Sequence, residues 1–417
     1  MGFPYTLVTL VFLSMLPVTM IVPVVKDVVK DRLLGSNWEV AYFTSIPMLG
    51  SFLFAPVAGI ISDRFKNRKY FISFFCFLDA GLFYLLTIVT DMGLFLFLRF
   101  LEGAAHIFII GLLLSSAADR ENDPENKRYY GKGILMGITG MFLSLGGAFG
   151  MPLGILGRKN PLLPFYVGSG ILIFVGLMSL LMLKDRGIHK AKDFKLSDLK
   201  VAIFENPFLF VPFLFNFIDR FTVGFIISSF NIHLRETLAF HPGMLGVFLG
   251  LVLFPMSLLS YPSALLSRKT GVLPLVLVGS TIYGIFLGLS GTTNEYWYLF
   301  TFLLICGIGA GVMFVPSMML ASKMSKPGLT ATTMSAFTGV GSLGFMLGPI
   351  VSVQMQLVFE SILPSTYSFS ALSFFFGFLE IGLVFLTIPF FKKILGKMNR
   401  IDEEREKISL ANPDPIL

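Results

Sequence analysis

An arginine, a glutamate and a histidine stand close together in an otherwise apolar run, GLFLFLRFLEGAAHIFIIGLLLSSAA, as Arg99, Glu102 and His106. An ionisable group at the centre of a membrane helix costs roughly 2.5–3.5 kcal/mol by insertion scales, so such groups mark functional positions. At about 100° per residue the three fall within about 60° of one another on a helix and form one polar stripe. A single stripe can face a water-filled cavity while the rest of the helix faces lipid and protein. Burial disfavours the charge of a carboxylate and a nearby guanidinium favours it, so a change in their separation loads or unloads a proton. The pattern suits proton coupling, with Glu102 as carrier and Arg99 as its modulator. His106, whose ordinary titration lies near neutral pH, suits a proton relay or a substrate contact. The competing reading is a permanent Arg99–Glu102 pair with His106 as a packing residue.

Asp79, Asp219, Arg220 and Glu380 also lie inside apolar runs. At about 1.5 Å per residue, Glu102, Asp79 and Asp219 all reach the middle of a bilayer. Asp219 is the second proton candidate and Asp79 a further one. The segment NFIDRFTVG adds Asn216, Phe217 and Arg220, expected with His106 and Tyr261 to contact substrate. For Asp219 and Arg220, pairing with neighbouring helices for packing alone is the alternative.

The elements that must position these groups follow from composition. The chain has 417 residues, 55% hydrophobic and only 14% charged, with 47 phenylalanines. A soluble protein carries about a quarter charged residues. Runs of about 20 apolar residues predict twelve membrane-spanning helices. They fall at roughly 4–25, 38–62, 69–90, 92–117, 132–156, 163–184, 207–231, 243–266, 271–293, 296–321, 329–357 and 367–391. With this even number, Lys26, Lys30, Arg32, Arg158, Lys159 and Arg235 fall on one side and Arg99 and Arg220 within spans. The other 24 of the 32 Lys and Arg residues fall on the opposite side. The positive-inside rule makes that side cytoplasmic, with both termini on it. The net charge of +7 therefore needs no nucleic-acid partner. Cys76 and Cys306 both fall within spans and form no disulfide framework.

The longest interior polar stretch divides the chain into an N-terminal bundle of six spans (1–184), a cytoplasmic linker (185–206), a C-terminal bundle of six (207–391) and a cytoplasmic tail (392–417). FKLSDLKVAIF in the linker and KKILGKMNRI in the tail are basic and amphipathic, and are expected to lie on the membrane surface. The halves repeat each other. SLGGAFG (144–150) matches SLGFMLG (342–348), and EGAAH (102–106) sits at a similar offset to CGIGA (306–310). Six-span repeats are a transporter signature.

Three motifs carry a resemblance to the major facilitator superfamily. GIISDRFKNRK resembles the family's loop after the second helix, G-x-x-x-D-R-x-G-R-[RK], through Gly59, Asp63, Arg64 and Arg68, with Lys66 and Asn67 departing from it. LRFLEG resembles the fourth-helix R-x-x-[QE]-G through Arg99, Glu102 and Gly103. GAFGMPLG resembles the fifth-helix antiporter motif G-x-x-x-G-P-x-x-G-G with Pro152 displaced by one, while Gly344–Pro349 carries an undisplaced G-x-x-x-G-P. The resemblance implies an all-α membrane protein with twelve helices in two six-helix bundles related by pseudo-two-fold symmetry. It implies a gating role for Gly59, Asp63, Arg64 and Arg68. Gly146, Gly150, Gly344, Gly348 and Pro349 are read as helix-packing positions, since small residues at four-residue spacing let helices approach closely. The family's drug–proton antiporters carry an acid in span one; none stands here, and span ten lacks the ions of span four. Glu380 lies in a span that is peripheral in the family, which favours a structural role.

The reading that follows is a proton-coupled secondary transporter in a bacterial inner membrane, acting as a monomer and exporting an amphipathic or drug-like small molecule. Uptake of an organic anion, or lipid or lysolipid transport, are alternatives. A non-transporting sensor lacks a soluble signalling domain. No metal-ligand set, nucleophile–base pair or phosphate-binding loop is present, so neither cofactor nor enzyme activity is expected.

Overall fold

The structure, a computed structural model, describes residues 5–64, 68–122, 134–183, 206–325 and 330–411. Among the described residues, twelve helices are long and apolar enough to cross a membrane. They are α1 (Tyr5–Met20), α2 (Asn37–Arg64), α3 (Arg68–Ile88), α4 (Met92–Asn122), α5 (Ile134–Leu153), α6 (Leu163–Met182), α7 (Pro207–Glu236), α8 (Pro242–Thr270), α9 (Val272–Ser290), α10 (Tyr296–Met324), α11 (Thr330–Ile362) and α12 (Ser365–Thr387). A last helix, α13 (Phe391–Ala411), follows. Helix ends are closed by local chemistry. Before α2 the Ser36 N–H donates to the Glu39 carboxylate at 2.8 Å, and the Asp91 carboxylate accepts from Leu94 N–H at 2.7 Å at the start of α4. Such caps satisfy orphan donors of the first turn. Arg32 caps the far end of α3 by donating to the carbonyls of Leu86, Thr87 and Val89. Between α8 and α9 the chain reverses at Gly271, whose φ of +86° a side chain would resist.

Each helix has a counterpart six spans later. α1 packs on α5, α2 on α4, and α3 on α4 and α6; correspondingly α7 packs on α11, α8 on α10, and α9 on α10 and α12. These are two six-helix bundles related by a pseudo-two-fold axis, and they meet along α5–α8 and α2–α11. The repeated S-L-G-x-x-x-G segments perform the same task in each half. A Cβ on Gly146 would collide with the Phe12 carbonyl oxygen, and one on Gly150 would come within 2.8 Å of that of Leu16. On α11, a Cβ on Gly344 or Gly348 would collide with the carbonyl oxygens of Phe217 and Phe221, and Pro349 packs directly on Gly224 of α7.

Two helices run past their expected ends. α7 continues beyond 231 through a π turn, Ile226–Phe230, into Asn231–Glu236. α11 continues to Ile362, where Gln356 donates to Glu360 one turn on, at 2.8 Å. Polar residues that read as loop are helical here because each has a partner. The tail helix also differs from expectation. Rather than lying with its apolar face on a membrane surface, α13 packs Ile394 and Met398 against Leu209 of α7 and Leu320 and Met324 of α10. The linker segment FKLSDLKVAIF lies outside the described residues.

Beyond α1 the chain forms a 3-10 turn, Val22–Val24, and a π turn, Lys26–Arg32, which reach across to the end of α7. Asn231 Nδ2 donates to the Val22 carbonyl at 2.9 Å, Lys30 Nζ lies 2.5 Å from Glu236 Oε1, and Arg235 pairs with Asp27. This latch joins the bundles at one end. Burial holds the Asp27 carboxyl above the ordinary carboxylate range, against the opposing pull of Arg235. Parting the bundles here would return Asp27 to water and to its ordinary range. The joined form thus binds a proton more readily, so falling pH favours joining. Spin labels at Leu34 and Thr237 should show a larger short-distance population at about pH 5 than at pH 7. Asp27→Asn should remove that dependence, and a population that falls on acidification would contradict the assignment.

Candidate functional site

Pro47 lies inside α2. It has no N–H, so the carbonyl of the residue four positions earlier, Phe43, loses its helical donor. Gly103 of α4 packs directly on the Pro47 backbone, where a Cβ would collide with the Pro47 carbonyl, and Gly50 meets the Phe100 carbonyl in the same way. This close approach delivers Arg99 to the vacated acceptor. Arg99 Nε and Nη2 donate to the Phe43 carbonyl at 3.3 and 3.2 Å, and its guanidinium lies over the Phe43 ring at 4.3 Å. Nη1 donates to Glu102 Oε2 at 2.6 Å. Arg99 is 4% exposed and Glu102 1%.

The third and fourth members come from two helices. Asp79 of α3, fully buried, has its Oδ2 3.1 Å from His106 Nδ1. Asp79 Oδ1 and His106 Nε2 have no hydrogen-bond partner. Glu102 feels the charges of Arg99, Asp79 and His106, so the four act as one electrostatic array. Two carboxyl groups, one fixed cation and one titratable imidazole can hold or release a proton while keeping the buried charge nearly balanced. Arg99 and Glu102 are buried here rather than open to a cavity: Arg99 turns to Phe43 of α2, Glu102 to Arg99, and His106 to Asp79 of α3.

In the second bundle the expected residues are spread over several partners. Asn216 Nδ2 donates to the Phe337 carbonyl at 2.6 Å, tying α7 to α11. Phe217 stacks on Phe221 at 5.7 Å. Arg220 Nε lies 3.5 Å from Asp219 Oδ2, and its guanidinium covers the Phe314 and Phe345 rings at 4.6 and 5.4 Å. Tyr261 is exposed on α8. Arg68 is buried at the start of α3; the side chains of Gly59, Asp63 and Arg64 lie outside the described residues. Sequence reasoning missed Phe43, whose acceptor is a main-chain atom. The proline four residues later was the available signal. It also missed the buried Thr222–Tyr283 hydroxyl pair, 2.9 Å apart across α7 and α9. Among the described residues no group of three or more His, Cys, Asp or Glu is placed to hold a metal ion.

The sequence matches the profile of the Major Facilitator Superfamily over residues 7–349 and, in a second match, 212–400. The chain belongs to the major facilitator superfamily. Solved transporters of similar fold agree with this placement. A point mutant of the nucleoside transporter NupG superposes with a TM-score of 0.78 at 13% identity, covering 93% of this chain and 99% of that one. A bacterial homolog of the human lysosomal transporter Spinster, inward-facing and unoccupied, superposes at 0.73 and 15% identity, covering 97% and 99%. At these identities the likeness is one of fold. No curated protein matches the sequence significantly. Both solved relatives are transporters, and this superfamily member is an integral multi-pass membrane protein on the same scaffold. Its two bundles differ where EGAAH aligns with CGIGA: Cys306 stands for Glu102 and Leu303 for Arg99.

Removing one partner of a buried ion pair strands the other. Arg99→Leu should lower stability by about 3–5 kcal/mol, and Arg99→Leu with Glu102→Leu should recover most of that loss. Thermal unfolding in detergent checks this; a double variant no more stable than the single one would show that Glu102 gains nothing from Arg99.

Proposed function

We propose that this superfamily member is a proton-coupled secondary transporter that moves a small molecule by alternating access. The observation that carries the reading is the buried Arg99–Glu102 pair beside Asp79 and His106. A proton on Glu102 removes its charge and weakens its hold on Arg99, which keeps the Phe43 carbonyl and ring. The change is local to the α2–α4 seam, and α2 also packs on α11 of the other bundle. Protonation at that seam thereby acts on the surface along which the bundles slide. Residues 1–184 and 207–391 move as two bodies joined by the linker 185–206, with the tail 392–417 on the same side as the linker. Gly59, Asp63, Arg64 and Arg68 gate that cytoplasmic side. The chain acts as a monomer in a bacterial inner membrane with both termini cytoplasmic.

Substrate binds between the bundles against α4 and α7. Arg220, held only at 3.5 Å by Asp219 and flanked by two rings, offers a cation and flat apolar faces together. Such a corner suits an amphipathic molecule with a planar or anionic part. Phe217, Asn216, Tyr261 and His106 complete the set of contacts. Export of a drug-like compound is the leading direction. Uptake of an organic anion is the second reading, favoured by Arg220, and a nucleoside, the substrate class named for NupG, belongs in the same test.

Purified protein in liposomes enclosing a pH-sensitive dye, given nucleosides, lipophilic cations, organic acids and lysolipids in turn, tests the proposal. One compound should move protons with wild type and at least tenfold less with Glu102→Gln, on the scale of a lost general acid–base group. The sign of the flux separates antiport from symport. Substrate movement without proton movement, or a Glu102→Gln protein that matches wild type, would sink the coupling assignment.

A further inference from the structure

The second bundle holds an acidic residue that the proposed transport cycle does not use. Glu380 of α12 is fully buried, and among the described residues neither carboxyl oxygen has a hydrogen-bond partner. Its place is set by a close approach of α9 and α12. A Cβ on Gly284 would stand 2.6 Å from the Gly377 carbonyl oxygen and 3.1 Å from the Glu380 Cβ. Its charged neighbour is Asp219 of α7, and the Ser280 hydroxyl of α9 lies beside each of the two carboxyl groups. Ser280 also lines, with Asp219, Phe314 and Ser317, a cavity about the size of one water molecule. Asp219 is likewise buried, and its Oδ1 is unpartnered. The Ser280 hydroxyl donates only to the Met313 sulfur, at 3.1 Å. A thioether is a weak acceptor, and rotation of the hydroxyl turns it toward a carboxyl group instead.

Charge counting decides what this cluster does. Arg220 is the one cation beside it among the described residues, and it reaches Asp219 at 3.5 Å. Tyr283 and Cys306, the other titratable groups facing the cluster, carry no positive charge in any state. Two ionised carboxylates against one partly engaged guanidinium leave an unbalanced negative charge in a buried interior, which is among the costliest arrangements a protein can hold. A single proton removes the imbalance and supplies a donor where three carboxyl oxygens lack one. The first bundle has nothing comparable at this place: in the register that aligns Glu102 with Cys306, Cys76 stands for Ser280 and Gly176 for Glu380. We propose that Asp219 and Glu380, joined across Ser280, form a second proton-binding site inside the C-terminal bundle. The site is separate from the Arg99–Glu102 array and does not depend on it. Within the transport reading, the shared proton sets how strongly Asp219 holds Arg220, and so how much of that guanidinium is offered to substrate.

Proton occupancy is measurable without substrate, so the test is independent of transport. The full chain in lipid nanodiscs is stepped through pH while infrared difference spectra record protonated-carboxyl absorption. Wild type should keep such a band at neutral pH. Glu380→Gln should lose it, Asp219→Asn should move its pH dependence, and Ser280→Ala should shift its frequency. Glu102→Gln should leave that band in place. Bands unchanged in Glu380→Gln would overturn the site, and a band indifferent to Asp219→Asn would overturn the pairing. Should Glu380→Gln not fold, Ser280→Ala decides: a shifted band upholds the site and a stationary band refutes it. Loss of proton coupling in Glu102→Gln liposomes with an intact Glu380 band, or the reverse, tells the two proton sites apart.

Discussion

A missing hydrogen does much of the organising in the first bundle. Pro47 cannot donate to the Phe43 carbonyl, and a buried acceptor without a donor is costly. The Arg99 guanidinium takes the vacancy with two of its donors and gives a third to Glu102. That solution requires α4 to lie against α2 at backbone distance, which Gly103 and Gly50 permit. A side chain at Gly103 would push the helices apart and withdraw Arg99 from the Phe43 carbonyl and ring, leaving it only Glu102 of its own helix. Helix packing and charge placement are therefore one constraint: the proline of α2 frees the acceptor, and the small residues bring the cation to it.

The pseudo-two-fold repeat shows which parts of the design are scaffold and which are specialised. Glycines of α5 and α11 press on the carbonyls of α1 and α7 in matching fashion. The α2–α4 approach also recurs, with Gly307 and Gly311 of α10 meeting Leu251 and Pro255 of α8. The ions do not recur. Cys306 at the Glu102 place donates weakly to the Tyr283 carbonyl at 3.7 Å, while the acids of the second bundle sit on α7 and α12 instead. A symmetric scaffold with unsymmetric charges would, on the proposed reading, let the two bundles respond differently to one proton gradient, so that one step of a rocking cycle is driven and the other is free to return.

Hydropathy alone located the twelve spans because a bilayer demands about 20 apolar residues from each. The polar stripe of α4 was legible for the same reason: charge inside such a run is rare. The partners were not. Nothing in the sequence pairs His106 with Asp79, since the two lie on different helices and only the packing of α3 on α4 brings them to 3.1 Å. Phe43 contributes a main-chain oxygen that no residue type announces. The latch of Lys30, Asp27, Arg235 and Glu236 read as loop charge, because the helical extensions that carry it exist through contacts between the bundles. Tyr261, an aromatic residue in an apolar run, gave no sign of whether it faced protein or surroundings, and it is exposed.

The number of partners on Arg99 bears on whether the pair can switch at all. An isolated buried ion pair is a poor switch, because neutralising the acid strands the cation at a cost of several kcal/mol. Arg99 is not isolated. The Phe43 carbonyl and the Phe43 ring remain when Glu102 takes a proton, and a cation over an aromatic face in a desolvated site retains about 2 kcal/mol of attraction. The Asp79 carboxyl group stands beside the array, 3.1 Å from His106 Nδ1. The array therefore tolerates one proton more or less without leaving an uncompensated charge. On the proposed reading, that tolerance is what would let the pair serve coupling rather than packing alone.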